Sequence, residues 1–176
     1  QPEPATVDTP FSISETPTPD FNAMTFLLSP DGQVFMNFDN GPDTILKYRP
    51  KILVEMGKRY GIEFNEFEQR EFEKYPSSIG VPISQMKEFL NLKEGSARNK
   101  LQTGIPLDSA DNQLAMWIQY ARTVNPNYQA CLKGDTETEF PVVKRVLEIL
   151  QELNVKRFSL ITNLEAAKIN LEEIQQ

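Results

Sequence analysis

The chain has 176 residues, 39% hydrophobic and 24% charged, so it can bury a core and is expected to form one domain with appendages. A formal net charge of -7 argues against nucleic acid and anionic membrane surfaces as partners, because neutralising phosphates needs clustered Lys and Arg. Histidine is absent and Cys131 is the single cysteine, which removes the commonest general base, the commonest nitrogen ligand for metals and any internal disulfide.

Residues 1–20 are rich in Pro, Thr, Ser and Glu, a composition that predicts a flexible linker. No run approaches the roughly 20 apolar residues of a membrane-spanning helix. The sequence starts at Gln1 rather than Met, which suggests an excised fragment or a processed form, so any membrane anchor is expected outside it. Met24–Leu28 and Gln33–Phe38 are β-favouring runs around Ser29-Pro30-Asp31-Gly32, and so predict a hairpin whose Val34, Met36 and Phe38 face helices.

Ile45, Leu46, Ile52, Leu53, Met56 and Tyr60 follow at largely helical spacing. Pro50 is expected to kink that helix, or to divide it into a turn around residues 44–49 and a longer piece ending at Gly61. Residues 63–75 predict a helix with Phe64, Phe67 and Phe72 inward and five glutamates outward. Ser84 reads as the N-cap of a short helix carrying Met86, Phe89 and Leu90, and residues 93–106 read as loop. Asp108 or Ser109 then opens a helix through Val124, with Leu114, Trp117, Ile118 and Ala121 as its core stripe.

In the last third, residues 128–133 predict a strand, Gly134-Asp135-Thr136 a turn, and residues 140–153 an amphipathic helix buried through Val142, Val143, Val146, Leu147 and Leu150. Asn154 closes that helix and residues 157–162 form another strand, so the default topology is a βαβ unit with parallel strands. Residues 164–176 predict a polar terminal helix or tail with a thin apolar stripe. The fold class expected is α+β: a small mixed sheet, made of the hairpin and the βαβ unit, covered on one face by helices.

The chain contains no phosphate-binding glycine loop and no Gly-flanked serine nucleophile. Glu66, Glu68, Glu71 and Glu73 read as the solvated face of a helix rather than as acid-base or cation-binding groups. Asp108, Asp111 and Asp135 do not have calcium-loop spacing. Cys131, between Ala130 and Leu132, reads as a small packed strand residue, with only Lys133 nearby in sequence to lower its thiol pKa. No metal, no cofactor and no catalytic residue are expected.

Leu132-Lys133-Gly134-Asp135, the helix containing Val143-Lys144-Arg145-Val146-Leu147, and Val155-Lys156-Arg157-Phe158-Ser159-Leu160-Ile161-Thr162 together resemble the C-terminal half of the ExbD/TolR family. The hairpin of residues 24–38 is similar to that family's first two strands. Residues about 60–108 have no counterpart there, which makes the chain an enlarged member with a helical insertion. The resemblance implies a periplasmic domain at residues 21–163, tethered by residues 1–20 to one upstream inner-membrane helix whose Asp would carry the proton relay.

It further implies a homodimer within an ExbB-like pentamer, no enzymatic activity, and a TonB-like periplasmic partner powered by the proton motive force for outer-membrane transport. The alternatives are a Tol-type envelope subunit that binds peptidoglycan and, from another class, a small carboxylate-based enzyme. By motif position Leu160 matches the family's functional leucine, and Asp135 the Asp that closes the earlier strand. Phe158 and Ile161 join them as partner-binding candidates. For Leu160 a core role stands beside the partner-binding one. A free sheet edge at residues 157–162 would let an extended peptide, from a partner or from the linker, add as a strand.

Overall fold

A computed structural model describes residues 4–5, 22–41, 45–134, 140–156 and 158–161. In chain order the elements are β1 (Pro4–Ala5), β2 (Ala23–Leu28), β3 (Val34–Phe38), α1 (Tyr48–Tyr60), α2 (Glu66–Lys74), α3 (Ile83–Asn91), α4 (Gly95–Leu101), α5 (Gln113–Val124), β4 (Gln129–Lys133), α6 (Phe140–Glu152) and β5 (Phe158–Ile161). The strands form one mixed sheet in the order β1-β5-β4-β2-β3. β2, β4 and β5 are parallel, while β3 and β1 run antiparallel on the two flanks. The protein is therefore α+β, with the hairpin and the βαβ unit sharing a sheet.

Local chemistry explains the hairpin. Gly32 takes φ 83, the Ser29 amide donates to the Gln33 carbonyl at 2.9 Å, and the Ser29 Oγ accepts from the Gln33 amide at 3.0 Å. Register then follows from the pleat, with Met24, Phe26 and Leu28 of β2 and Val34, Met36 and Phe38 of β3 on one buried face. Ala130, Leu132, Phe158 and Leu160 extend that face across the sheet. It packs on Ile52, Leu53 and Met56 of α1, Leu114, Trp117, Ile118 and Ala121 of α5, and Val143, Val146, Leu147 and Leu150 of α6. Val142 is only partly buried, and Ile149 takes a place in the core beside its neighbours.

α1 and α5 pack on each other directly, and the stretch inserted between them in sequence carries α2, α3 and α4. Several sequence expectations need correction here. Pro50 neither kinks nor divides α1; it lies in the first turn, where its missing N–H costs no intrahelical bond, and the helix runs unbroken to its Gly61 C-cap at φ 71. Ile45 lies outside α1 and is 81% exposed. In α2, Phe72 is buried but Phe67 is exposed, and Glu68 takes the inward position instead.

α3 starts two residues earlier than an N-cap at Ser84 implies, with Pro82 at the N-cap, and the Ile83 amide is satisfied by the Gln113 Oε1 at 2.8 Å. The stretch read as loop contains α4, whose short sequence buries no residue of its own. α5 begins at Gln113 because Asn112 rather than Asp108 caps it, accepting from the Ala115 amide at 3.1 Å. Asp108 instead closes a turn, accepting from the amides of Ala110 and Asp111. Asn154 ends α6 in the left-handed region at φ 60. Most of the linker of residues 1–20 and all of the terminal helix of residues 164–176 lie outside the described residues.

Candidate partner-binding edge

Two strands bound the core of this sheet, and their free sides differ. β5 lies beside β4 with Phe158 opposite Ala130, Ser159 opposite Cys131, Leu160 opposite Leu132 and Ile161 opposite Lys133. Its other side meets, among the described residues, β1, where Pro4 pairs with Ile161 and Ala5 with Leu160. Proline is tolerated in a flanking strand because no further ladder needs its missing N–H. Part of the stretch read as a linker therefore serves as a strand.

The four residues singled out in the sequence are placed as follows. Leu160 is fully buried and Phe158 is 2% exposed, both directed into the core beneath the sheet. Ile161 occupies the last position of β5, and Asp135 lies outside the described residues. What Phe158 and Leu160 offer on the flank of β5 is thus their main chain, while their side chains hold the strand to the helices. On the opposite face of β4, Cys131 is buried, and burial raises its thiol pKa against a smaller lowering by Lys133.

The β3 side is occupied at Val34, Met36 and Phe38. The Met36 amide donates to the Ile79 carbonyl and the Ile79 amide to the Met36 carbonyl, both at 2.8 Å. The Ile105 amide donates to the Val34 carbonyl at 2.9 Å, and the Arg49 Nε to the Phe38 carbonyl at 2.5 Å. Ile79, Val81, Ile83 and Ile105 anchor the covering segment in the core. Gly80 makes the close approach possible: a Cβ there would come 2.4 Å from the Phe35 ring and 2.8 Å from the Val34 carbonyl. Gln102 braces the segment, its Oε1 accepting from the Gly80 amide at 2.6 Å and its Nε2 donating to the Ser78 carbonyl at 3.2 Å.

These groups escaped the sequence reading. The available signal was the alternation of Ile79, Val81 and Ile83 around Gly80 and Pro82, which suggests a short extended segment. Arg49 was missed as well: besides Phe38 it donates to the Glu73 carbonyl and the Asn37 Oδ1, both at 2.7 Å, and so ties α1 and α2 to β3. Burial lowers its pKa, while Tyr128, Asp39 and Glu73 act in the opposite direction.

The acidic helix is also less solvated than expected. Glu68 is 2% exposed; burial raises its carboxyl pKa, but hydrogen bonds from Lys87, the Asn65 amide and Asn91 more than reverse this and leave it below the ordinary value. Glu71 is held low by hydrogen bonds from Lys74 and Arg98. Both carboxylates are engaged in joining α2 to α3 and α4, which fits a structural role.

Sheet, helices and edges thus define a small α+β domain with one plugged flank and one flank that takes a short strand. Comparison with protein-family models, with curated proteins and with solved structures gives no significant match.

Proposed function

We propose that this chain is the membrane-external, periplasmic domain of an ExbD/TolR-type subunit, acting in a proton-motive-force-driven complex that powers outer-membrane transport. It works as a binding and mechanical module and has no catalytic site. The observation that carries this reading is the union of the hairpin and the βαβ motif in one sheet whose β5 flank takes an extended segment from residues 4–5. A main-chain ladder is indifferent to side chains, so a TonB-like periplasmic segment can take the place that β1 occupies. In this scheme the upstream inner-membrane helix sits in an ExbB-like pentamer, the domain works as a homodimer, and strand exchange at β5 transmits the motion. The Tol-type role with peptidoglycan stands as the alternative within the same family.

The test is isotope-filtered NMR on the labelled full chain with an unlabelled synthetic peptide of residues 1–20 added in trans, which tells the added strand from the tethered β1 that it replaces. Millimolar peptide is needed, because the tethered copy competes at an effective concentration on the order of millimolar. Intermolecular contacts to residues 158–161 are expected. Their absence at saturating peptide would falsify strand addition at β5.

A further inference from the structure

We infer that the insertion makes the sheet one-sided: it supplies a permanent occupant for the β3 flank, so an extended partner or a second copy can continue the sheet only at β5, one strand per domain. The β5 half of this statement rests on the function proposed above. The β3 half rests on geometry alone.

A free edge presents unpaired N–H and C=O groups, and sheets without a blocking device recruit other chains there. On β3 the carbonyls of Val34, Met36 and Phe38 and the amide of Met36 are all engaged, by Ile105, Ile79 and Arg49. The occupant is not a loosely laid loop. Ile79 and Ile105, which make the ladder contacts, are 4% and 2% exposed, and the Gly104 amide bonds the Gly80 carbonyl at 2.8 Å, so the two covering stretches also hold each other. Displacing them would empty an apolar layer as well as break hydrogen bonds, whereas among the described residues β1 offers a two-residue ladder at β5. The two flanks therefore differ in how readily they exchange their occupants.

The consequence is a fixed polarity. The chain that adds at β5 runs antiparallel to it, as Pro4–Ala5 does, and a second copy of this domain can extend the sheet only by taking that same place. Sheet-mediated self-association and capture of an extended peptide then exclude each other, because they compete for one flank.

The experiment compares wild type with two full-length variants that loosen the β3 occupant by different routes. Gly80→Ala wedges a methyl group against the Val34 carbonyl, and Gln102→Ala removes the brace on the Gly80 amide. In wild type the Met36 and Ile105 amides should exchange as slowly as the central strands. The peptide of residues 1–20 should leave them unchanged while making intermolecular contacts to β5 in place of the tethered β1, with one peptide bound per chain. Each variant should speed exchange at Met36 and Ile79 by about tenfold or more, since local opening sets that rate. Each should also gain a second peptide site or concentration-dependent dimers in sedimentation.

Fast Met36 exchange in wild type, or protection of Met36 and Ile79 by the peptide, overturns the inference and leaves the proposed function standing. Slow Met36 exchange with no peptide effect at β5 overturns the proposed function, and the one-strand rule with it. Loosened variants that remain monomeric and bind only one peptide show that the β3 flank needs no occupant, which also overturns the inference.

Discussion

At the scale of single residues, two side chains separate roles that the sequence leaves merged. Leu160 is fully buried between β4 and the helices. Leu160→Ala is therefore expected to destabilise the domain by about 2–5 kcal/mol, with a volume-conserving Leu160→Ile costing less than about 1.5 kcal/mol. Urea titration of both variants measures this. A normal urea midpoint for Leu160→Ala would show that the residue is not a core element. Glu68 behaves as a buried, bonded carboxylate whose folded pKa lies below the ordinary 4.5. Its contribution is thus fully present above about pH 4.5 and is lost as pH falls through the lower folded value. Glu68→Gln is expected to cost about 1–3 kcal/mol at pH 7 and to flatten the acid limb of the stability profile. Identical pH profiles for the variant and wild type would refute the assignment.

At the scale of elements, legibility tracked how local each signal is. The hairpin, α6 and β5 are set by contiguous patterns: a Pro-Asp-Gly turn, an apolar stripe of strong period, and a β-favouring run. The insertion is set by tertiary satisfaction, so its pattern misleads. Phe67 lost the inward place to Glu68 because Lys87, Asn91 and the Asn65 amide supply the bonds that a buried carboxylate needs. Those partners are remote in sequence. α4 was invisible because it buries nothing, and β1 because two residues carry no period. The candidate site was legible as a strand but not as an edge, since edges depend on what covers the neighbouring strands. Asn65 offers a test of a local device at the start of α2. Its side chain accepts from the Glu68 amide while Glu68 accepts from the Asn65 amide, a reciprocal cap. Asn65→Ala is expected to cost about 0.5–2 kcal/mol, read by thermal denaturation. No change in midpoint would mean that tertiary contacts alone hold the start of α2.

For the whole molecule, the ExbD/TolR reading makes a claim that the domain itself cannot carry. The gene upstream of residue 1 should encode an apolar span of roughly 20 residues containing an acidic side chain. A start codon immediately before the linker, or a cleavable leader there, would detach this domain from proton-driven machinery. Within the domain, the insertion and the sheet meet at one side chain. Trp117 is the sole tryptophan, is fully buried, stacks on Phe72 of α2 at 5.8 Å with a 7° interplanar angle, and lies 6.2 Å from Phe38 at the end of β3. The molecule thus contains a single indole, placed where α2 packs over the end of β3 and on the side of the sheet away from β5. Its emission should be blue-shifted and indifferent to a peptide arriving at β5, and should move to the red when Gly80→Ala lifts the covering segment. One cuvette measurement would then distinguish which side of the sheet has opened.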